Sequence, residues 1–147
     1  MSTDRVQYRE CAAGDVPAVL TLWRESGAVP GHTDTEQALR LRLKRDSHLF
    51  VVAIVDGQVV GCLIGGWDGW RGNLYRLVVH PEHRRKGIAG KLVEIVESRL
   101  AALGATRVYA LAVKPELDES ATAFWKTAGY AVNPRLTPYV KTIGDDR

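Results

Sequence analysis

The alternation of apolar and polar positions predicts a series of short strands and amphipathic helices. Residues 49–55, LFVVAIV, form a continuous apolar run rich in β-branched side chains, which predicts a buried central strand. Asp56-Gly57 follows as a hairpin signal, so residues 58–65 are predicted to return beside that strand. Further strands are predicted at residues 6–10, 73–79, 107–113, 130–133 and 138–143, and helices from Asp15, from a capping box of Thr33 and Glu36, at 87–103 and at 120–128.

This order of elements predicts an α/β fold around one mixed sheet. The helix at residues 87–103 supports that prediction, because its apolar side chains fall on one face and its charged ones lie largely elsewhere. A helix of this kind packs on a sheet by its apolar side. A chain of 147 residues is long enough to bury one full core, so a single domain is expected.

Composition narrows the classes of partner. The net charge of +3 suits small anionic ligands but is too small to indicate nucleic acid. The apolar run at residues 49–55 is far shorter than a bilayer span, and the first ten residues, MSTDRVQYRE, lack the apolar core of a signal peptide. We therefore expect a cytoplasmic protein without a nucleic-acid or membrane partner. Cys11 and Cys62 form no disulfide framework, and Cys62 is expected to be a buried reduced thiol.

The stretch VVHPEHRRKGIAGKL, residues 78–92, joins the end of a predicted strand to the start of a helix. The first N–H groups of a helix have no partner within it and carry the positive end of the helix dipole, which favours phosphate. Gly87 lets a ligand approach the backbone closely, because it has no side chain. The segment therefore indicates a site for a phosphorylated ligand, with an ordinary solvated turn as the alternative. The basic residues around it are Arg84, Arg85, Lys86 and Lys91.

Two motifs, in the order in which they follow along the chain, resemble the signatures of a known family. Residues 84–89, RRKGIA, fit the pattern [RQ]-x-x-G-x-[GA], which is the pyrophosphate signature of the GNAT N-acetyltransferase superfamily. Residues 123–130, AFWKTAGY, resemble its second signature, an aromatic-rich helix that closes on Gly-Tyr or Gly-Phe. The chain is similar to small single-domain members such as ribosomal-protein alanine acetyltransferases. The resemblance implies one domain over residues 4–147 with the acyl-CoA N-acyltransferase fold, a single mixed and mostly antiparallel central sheet flanked by helices.

The resemblance implies that acetyl-CoA is the acyl donor. In the family, backbone N–H groups at the helix start bind the pyrophosphate, and the preceding strand binds the pantetheine arm in the manner of an added strand. The thioester enters a gap between two splayed strands, where a backbone N–H near Val78 is implied to polarise its carbonyl. The residues implied to bind acetyl-CoA are Leu77, Val78, Val79, Arg84, Arg85, Lys86, Gly87, Ile88, Ala89, Gly90, Lys91, Asp118 and Trp125.

Two residues are candidates for the catalytic step, Tyr75 and Trp125. The acceptor amine must be neutral to attack, and Tyr75 is ranked first among the groups that could help because it adjoins the strand lining the cleft. Trp125 falls where the family usually carries a tyrosine that protonates the departing thiolate, and an indole N–H is not a practical acid. A wall of the thioester pocket is the preferred role for Trp125, with core packing as the alternative. The other candidate bases are Asp68, Glu116 and Asp118, the last falling where the family often has asparagine.

The sequence does not name the acceptor. The resemblance implies that its wall is formed by the early helices and their connection, here residues 23–31 with His32, together with residues 67–70, WDGW. The reaction implied is direct attack on acetyl-CoA, in a ternary complex, by a primary amine of a small molecule, a protein or a peptide. A catalytically weak domain that binds acyl-CoA as a sensor or interaction module is the alternative.

The remaining predictions concern metals and assembly. The four histidines share no ligand spacing with a carboxylate or cysteine set, so no metal site is expected. The expected partners are acetyl-CoA and an amine acceptor, and the protein is expected to be a monomer or a homodimer.

Overall fold

The computed structural model describes residues 5–28 and 31–144, and the chain divides into two compact units, Met1–Leu111 and Ala112–Arg147. The domain boundaries expected at residues 4 and 147 fall outside the described residues. The strands are β1 (Gln7–Glu10), β2 (Phe50–Val55), β3 (Gln58–Trp67), β4 (Gly72–Val79) and β5 (Val108–Ala110). The helices are α1 (Val16–Glu25), α2 (Glu36–Leu43), α3 (Ile88–Leu103) and, in the second unit, α4 (Glu119–Thr127).

The first unit is built on one sheet of five strands in the order β1-β2-β3-β4-β5. The first four strands pair antiparallel in sequence order, while β5 lies parallel to β4. The sheet is therefore mixed and mostly antiparallel, which confirms the predicted fold class. The hairpin between β2 and β3 is confirmed as well, since Asp56 and Gly57 have φ angles of 49° and 76°, as a tight two-residue turn requires.

Each face of the sheet is covered by a different set of helices. Alternate residues of β2 and β3, including Val52 and Cys62, join a buried cluster with side chains of α1 and α2. On the other face, α3 packs against two glycines of β3. A Cβ at Gly61 would lie 3.1 Å from Ile88 Cγ2, and one at Gly65 would lie 2.6 Å from Val96 Cγ1. The small residues of β3 thus let α3 approach the sheet closely.

The start of α2 differs from its prediction. The helix begins at Glu36, and its N-cap is Thr35, whose side-chain oxygen accepts the N–H of Ala38 at 3.1 Å. The predicted capping box of Thr33 and Glu36 is wrong, because Glu36 is the first residue of the helix and not its third. Thr33 and Thr35 are both favourable N-cap residues, so the sequence pattern alone does not show which of them caps the helix.

The strands predicted at residues 130–133 and 138–143 are wrong, because the structure has no strand within residues 130–144. A strand needs a neighbour to bond its N–H and C=O groups, and none pairs with this segment in the described part of the second unit. Pro134 and Pro138 also remove two of its N–H donors. Val140, in the middle of the second predicted strand, is 90% exposed.

We predict that Gly65→Ala destabilises the protein by about 1–3 kcal/mol, because the added methyl overlaps the buried side chain of Val96. The free energy of unfolding from urea denaturation measures the effect. The matched control is Gly14→Ala, where a Cβ meets no atom within 4 Å. Its expected change is within about 0.5 kcal/mol. Equal effects of the two substitutions would contradict the close approach of α3.

Candidate active site

Strands β4 and β5 separate soon after they meet. They pair over residues 72–74 of β4 and 108–110 of β5, and the N–H of Leu111 donates to the carbonyl of Leu74 at 3.0 Å. Beyond that bond, residues 75–79 of β4 have only β3 beside them among the described residues of the first unit. The predicted strand at residues 107–113 is correspondingly shorter. One backbone edge of β4 is left without a neighbouring strand there.

The register between β3 and β4 shifts at the same point. Cys62 lies opposite Val78, whereas Ile64 lies opposite Tyr75, so the stretch of β4 contains one residue more than the stretch of β3. This extra residue makes a β-bulge. Arg76 in the bulge has a φ of 55°, in the left-handed region that non-glycine residues rarely adopt.

The bulge decides which backbone groups of β4 point away from β3. The N–H of His80 donates to the carbonyl of Val60 at 2.8 Å, and antiparallel strands alternate between pairs that exchange such bonds and pairs that do not. Val78, two residues before His80, therefore also faces β3.

The outward groups beyond the bulge are those of Leu77 and Val79. The carbonyl of Val79 accepts from Arg84 Nε at 3.2 Å, on the side away from β3. The expected outward N–H near Val78 is thus not that of Val78 itself but that of one of its two neighbours. A ligand lying along this edge meets the backbone of Leu77 and Val79.

Helix α3 begins just beyond β4, and its first N–H groups are open. Its N-cap, Gly87, has a φ of 79° and no side chain to cap them. The first bond of the helix runs from the N–H of Lys91 to the carbonyl of Gly87 at 3.1 Å, so the N–H groups of residues 88–90 have no partner within it. The N–H of Lys91, expected among the phosphate-binding groups, is therefore already bonded. No acidic residue lies in the first turn. Apart from adjacent residues and the helix backbone, nothing in the described part of the chain comes within 4 Å of a Cβ built at Gly87 or Gly90.

Basic side chains surround this helix start. Arg84, Arg85 and Lys86 are exposed, and Lys91 Nζ lies 3.5 Å from Glu94. Arg85 has a φ of 64°, so the turn into α3 contains a second left-handed residue besides Gly87. The structure thus places the predicted strand end and the predicted basic turn at one end of β4. Partial positive charge of the backbone and full charge of the side chains coincide there.

A cluster that sequence reasoning missed lies behind the bulge, on the face covered by α1 and α2. The guanidinium of Arg76 pairs with the carboxylate of Asp34 and lies 5.2 Å from the ring centre of Trp23. Trp23 is buried, and its indole N–H donates to Cys62 Sγ at 3.1 Å. A charged residue within the apolar run LYRLVV was the only sequence signal of this cluster. Cys62 is a buried free thiol as predicted, and burial raises its pKa to about 12.

Tyr75 lies on the same face, half-buried. A Cβ at Gly66 would lie 3.1 Å from its ring, and it packs against the cluster around α1. Burial raises the pKa of the Tyr75 hydroxyl above its ordinary value, with the charge of Arg42 acting in the opposite direction. The hydroxyl is therefore neutral at pH 7, and it donates or accepts a hydrogen bond but does not act as a phenolate base.

The comparison with family models decides the class of this protein. The acetyltransferase (GNAT) family matches residues 16–130. This chain belongs to the GNAT acetyltransferase family. A curated acetyltransferase of Photorhabdus laumondii is 40% identical over 119 residues, which cover 81% of each chain. The protein is accordingly an acyltransferase, as predicted.

Solved GNAT structures share its fold. Ard1 from Thermoplasma volcanium superimposes with a TM-score of 0.75 at 19% identity, covering 87% of this chain and 84% of that one. An aminoglycoside N-acetyltransferase in complex with CoA gives a TM-score of 0.74 at 18% identity, covering 97% and 98%. At these identities the likeness concerns the fold alone.

Among the candidate bases of this GNAT protein, Asp68 is a poor one. Its carboxylate accepts the N–H groups of Arg71 at 2.7 Å and Trp70 at 2.8 Å. These bonds lower the pKa of Asp68 below its ordinary value, which weakens it as a proton acceptor. Trp70, in the same loop, is 70% exposed, and the guanidinium of Arg71 lies 4.0 Å from the centre of its ring. Trp67, by contrast, is half-buried at the end of β3.

The expected acceptor wall is only partly described. Within residues 23–31, Trp23 is a core residue, while residues 29–30 lie outside the described part of the chain. His32 is exposed. Trp23 of α1 and Asp34, in the segment before α2, both contact Arg76 of the bulge.

The candidate residues of the second unit lie in and before α4. Asp118 is the N-cap of that helix, where its carboxylate accepts the N–H of Ala121 at 3.0 Å. Glu116 is exposed in a short turn. The ring of Trp125 is half-buried and lies edge-on to Phe124 at 5.2 Å and to Tyr130 at 5.0 Å. Within its own unit, Trp125 therefore has the contacts of a packing residue.

Among residues 5–28 and 31–144, no group of three or more His, Cys, Asp or Glu side chains is arranged to hold a metal ion. Within the same ranges, no helix has the length and apolar character needed to cross a membrane.

We predict that Asp118→Ala lowers the local stability of α4 by about 1 kcal/mol, because the N–H of Ala121 loses its cap. Native-state hydrogen exchange of the Ala121 amide measures this change. Asp118→Asn is the matched control, since an asparagine oxygen caps nearly as well. Unchanged exchange in the alanine variant would contradict the capping role of the Asp118 carboxylate.

Proposed function

We propose that this enzyme transfers an acetyl group from acetyl-CoA to a primary amine by direct attack in a ternary complex. The observation that carries the proposal is the meeting of an unpaired strand edge, residues 77–79, with the uncapped start of α3. The strand edge offers alternating backbone groups to an extended amide chain, and the helix start offers N–H groups to phosphates. A GNAT structure in complex with CoA supports the same donor.

Each part of the donor has its own contacts in this proposal. The N–H groups of residues 88–90 bind the pyrophosphate, and the open space above Gly87 and Gly90 leaves room for it. The side chains of residues 84–86 and Lys91 add positive charge around it. The pantetheine arm lies along Leu77 and Val79, whose backbone groups point away from β3.

The reaction places two requirements on the protein: the attacking amine must be neutral, and the charge that develops on the carbonyl oxygen must be stabilised. An aliphatic amine, however, has a pKa of about 10.4 in water. A half-buried approach beside Tyr75 favours the neutral form, because burial disfavours charge, and the hydroxyl relays the released proton through water. As the N–C bond forms and the C–S bond breaks, an outward N–H of Leu77 or Val79 stabilises the charge on the carbonyl oxygen.

The acceptor is proposed only as a primary amine. One structural neighbour is named for an aminoglycoside and another is Ard1, so the comparisons do not choose between a small molecule and a protein or peptide. We place the reaction in the cytoplasm, with no nucleic-acid partner and with a monomer or homodimer as the working state. The whole of residues 4–147 is proposed to act as one domain, since the family match at 16–130 crosses the boundary between the units.

A second candidate function has one observation in its favour. Trp125 stands where the family usually carries a tyrosine acid, and its ring contacts are those of a packing residue. A domain that binds acyl-CoA and turns over slowly, as a sensor or interaction module, fits that residue. Turnover therefore separates the two functions.

A thiol-release assay tests the proposal. Wild-type protein with acetyl-CoA is offered polyamines, amino acids, aminoglycosides and peptide N-termini, and free CoA thiol is measured. We expect amine-dependent release with at least one class. Calorimetric binding of acetyl-CoA without release for any amine would favour the sensor, and absence of binding at millimolar ligand would refute both functions.

We predict that Gly90→Asp raises the Kd for acetyl-CoA at least about tenfold, because it adds a carboxylate where the phosphates bind. Titration calorimetry measures this effect. The same substitution is expected to leave the thermal midpoint unchanged or higher, since an acidic residue in the first turn favours the helix dipole. Ser98→Asp, exposed further along α3, is the control with the same charge change. A similar loss of affinity in both variants would reject the helix start as the phosphate site.

We predict that Trp125→Tyr raises kcat about 10–100-fold, because it supplies an acid to the departing thiolate. Steady-state kinetics with the best amine of the panel measure the change. Trp125→Phe keeps the aromatic packing but adds no acid, so it is expected to give no increase. An unchanged or lower kcat in the tyrosine variant would contradict a missing general acid at this position.

A further inference from the structure

Arg76 occupies a position at which three parts of the first unit meet. Its backbone forms the bulge of β4, directly before the outward groups of Leu77. Its guanidinium pairs with Asp34, in the segment that leads into α2, and stacks over Trp23 of α1 at 5.2 Å. A single side chain therefore links the open strand edge to both early helices.

Asp34 passes that link to the backbone before α2. Its carboxylate accepts the N–H of Gly31 at 2.5 Å, and its own N–H donates to the carbonyl of Gly31 at 3.1 Å. The turn is closed on itself and lies tightly against Arg76, since a Cβ at Gly31 would be 3.2 Å from a guanidinium nitrogen. Residues 31–34 thus form a turn that two short-range bonds close, and the ion pair with Arg76 joins this turn to the bulge.

The burial of this pair gives it more influence than a surface pair. The side chains of Arg76 and Asp34 are 28% and 10% exposed, so water screens their attraction less than at the surface. The planar guanidinium also lies over an indole that is fixed in turn, because the N–H of Trp23 donates to Cys62 at 3.1 Å.

We infer that Arg76 is a positioning residue for the acceptor, and that it acts by holding residues 31–35 and Trp23 against the bulge. This inference rests on the proposed function. Phosphates at the start of α3 lie on one face of the sheet, so an amine reaches the strand edge from the face covered by α1 and α2. The segment that Arg76 and Asp34 hold borders that approach.

The test uses hydrogen exchange, acetyl-CoA affinity and amine kinetics on the full chain. Arg76→Gln, Asp34→Asn and the double variant each remove the ion pair. We expect amides of residues 31–35 to exchange about tenfold faster or more in all three, while Kd for acetyl-CoA stays within about twofold. The KM for the best amine of the panel is expected to rise about tenfold. The double variant is expected to equal the single ones, because the two residues act as a unit.

Two further variants separate positioning from mere stability. Arg76→Lys keeps the charge and is expected to recover part of the amine KM. Glu36→Gln removes an exposed pair with Arg40 on the neighbouring helix, at 2.8 Å, and is expected to change neither exchange nor KM. If Arg76→Gln does not fold, Asp34→Asn decides the question alone.

The outcomes are distinct. Unchanged exchange at residues 31–35, or faster exchange without a change in amine KM, would overturn the role of Arg76. A parallel rise in Kd for acetyl-CoA would overturn it as well, because the donor edge would then be what the pair supports. Wild-type protein that releases no thiol with any amine contradicts the proposed function instead, and hydrogen exchange then decides whether the ion pair holds the segment.

Discussion

The bulge in β4 is the constraint on which the rest of the site depends. Before it, the N–H of Gly72 and the carbonyl of Leu74 bond outward, to Arg107 and Leu111. In a regular strand the same parity would turn Val78 outward. The additional residue reverses the parity, so that Val78 faces β3 and its two neighbours face the open edge. One inserted residue thus determines which backbone groups of β4 face the edge that β5 leaves open.

The second half of the proposed donor site, the start of α3, is fixed relative to this edge by a glycine of β3. Gly61 lies opposite Val79, the last residue of β4, and it also receives Ile88, the first residue of α3. Ile88 is fully buried, so its position is fixed by packing. Strand edge and helix start are therefore set against the same residue. A larger side chain at Gly61 would move the two apart, which is why the geometry of the site depends on the core beneath it.

Whether the sequence predicts a given feature of this molecule depends on how far apart in the chain the interacting residues lie. The tight turn at Asp56-Gly57 and the helix start at Gly87 follow from local conformational demands, and both were predicted. The pair of Arg76 and Asp34 joins residues distant in the chain, and no local rule indicates it. The bulge itself depends on how two strands pair, which neither strand encodes alone. The prediction of strands at residues 130–133 and 138–143 was wrong for a similar reason. Alternation is typical of a strand but does not show which segment would pair with it.

In the proposed function the two substrates meet different kinds of surface, and this explains why the donor is easier to identify from the sequence than the acceptor. The donor is offered mainly backbone groups, whose positions follow from a turn, a bulge and a helix start. Short motifs record such features well, because glycine and spacing determine them. The proposed approach of the acceptor is bordered instead by side chains of α1, the bulge and the segment before α2, which Arg76 joins. The identity of the acceptor therefore depends on packing between residues that are distant in the sequence. Inferring it requires the three-dimensional arrangement of residues 31–34, which the ion pair with Asp34 fixes.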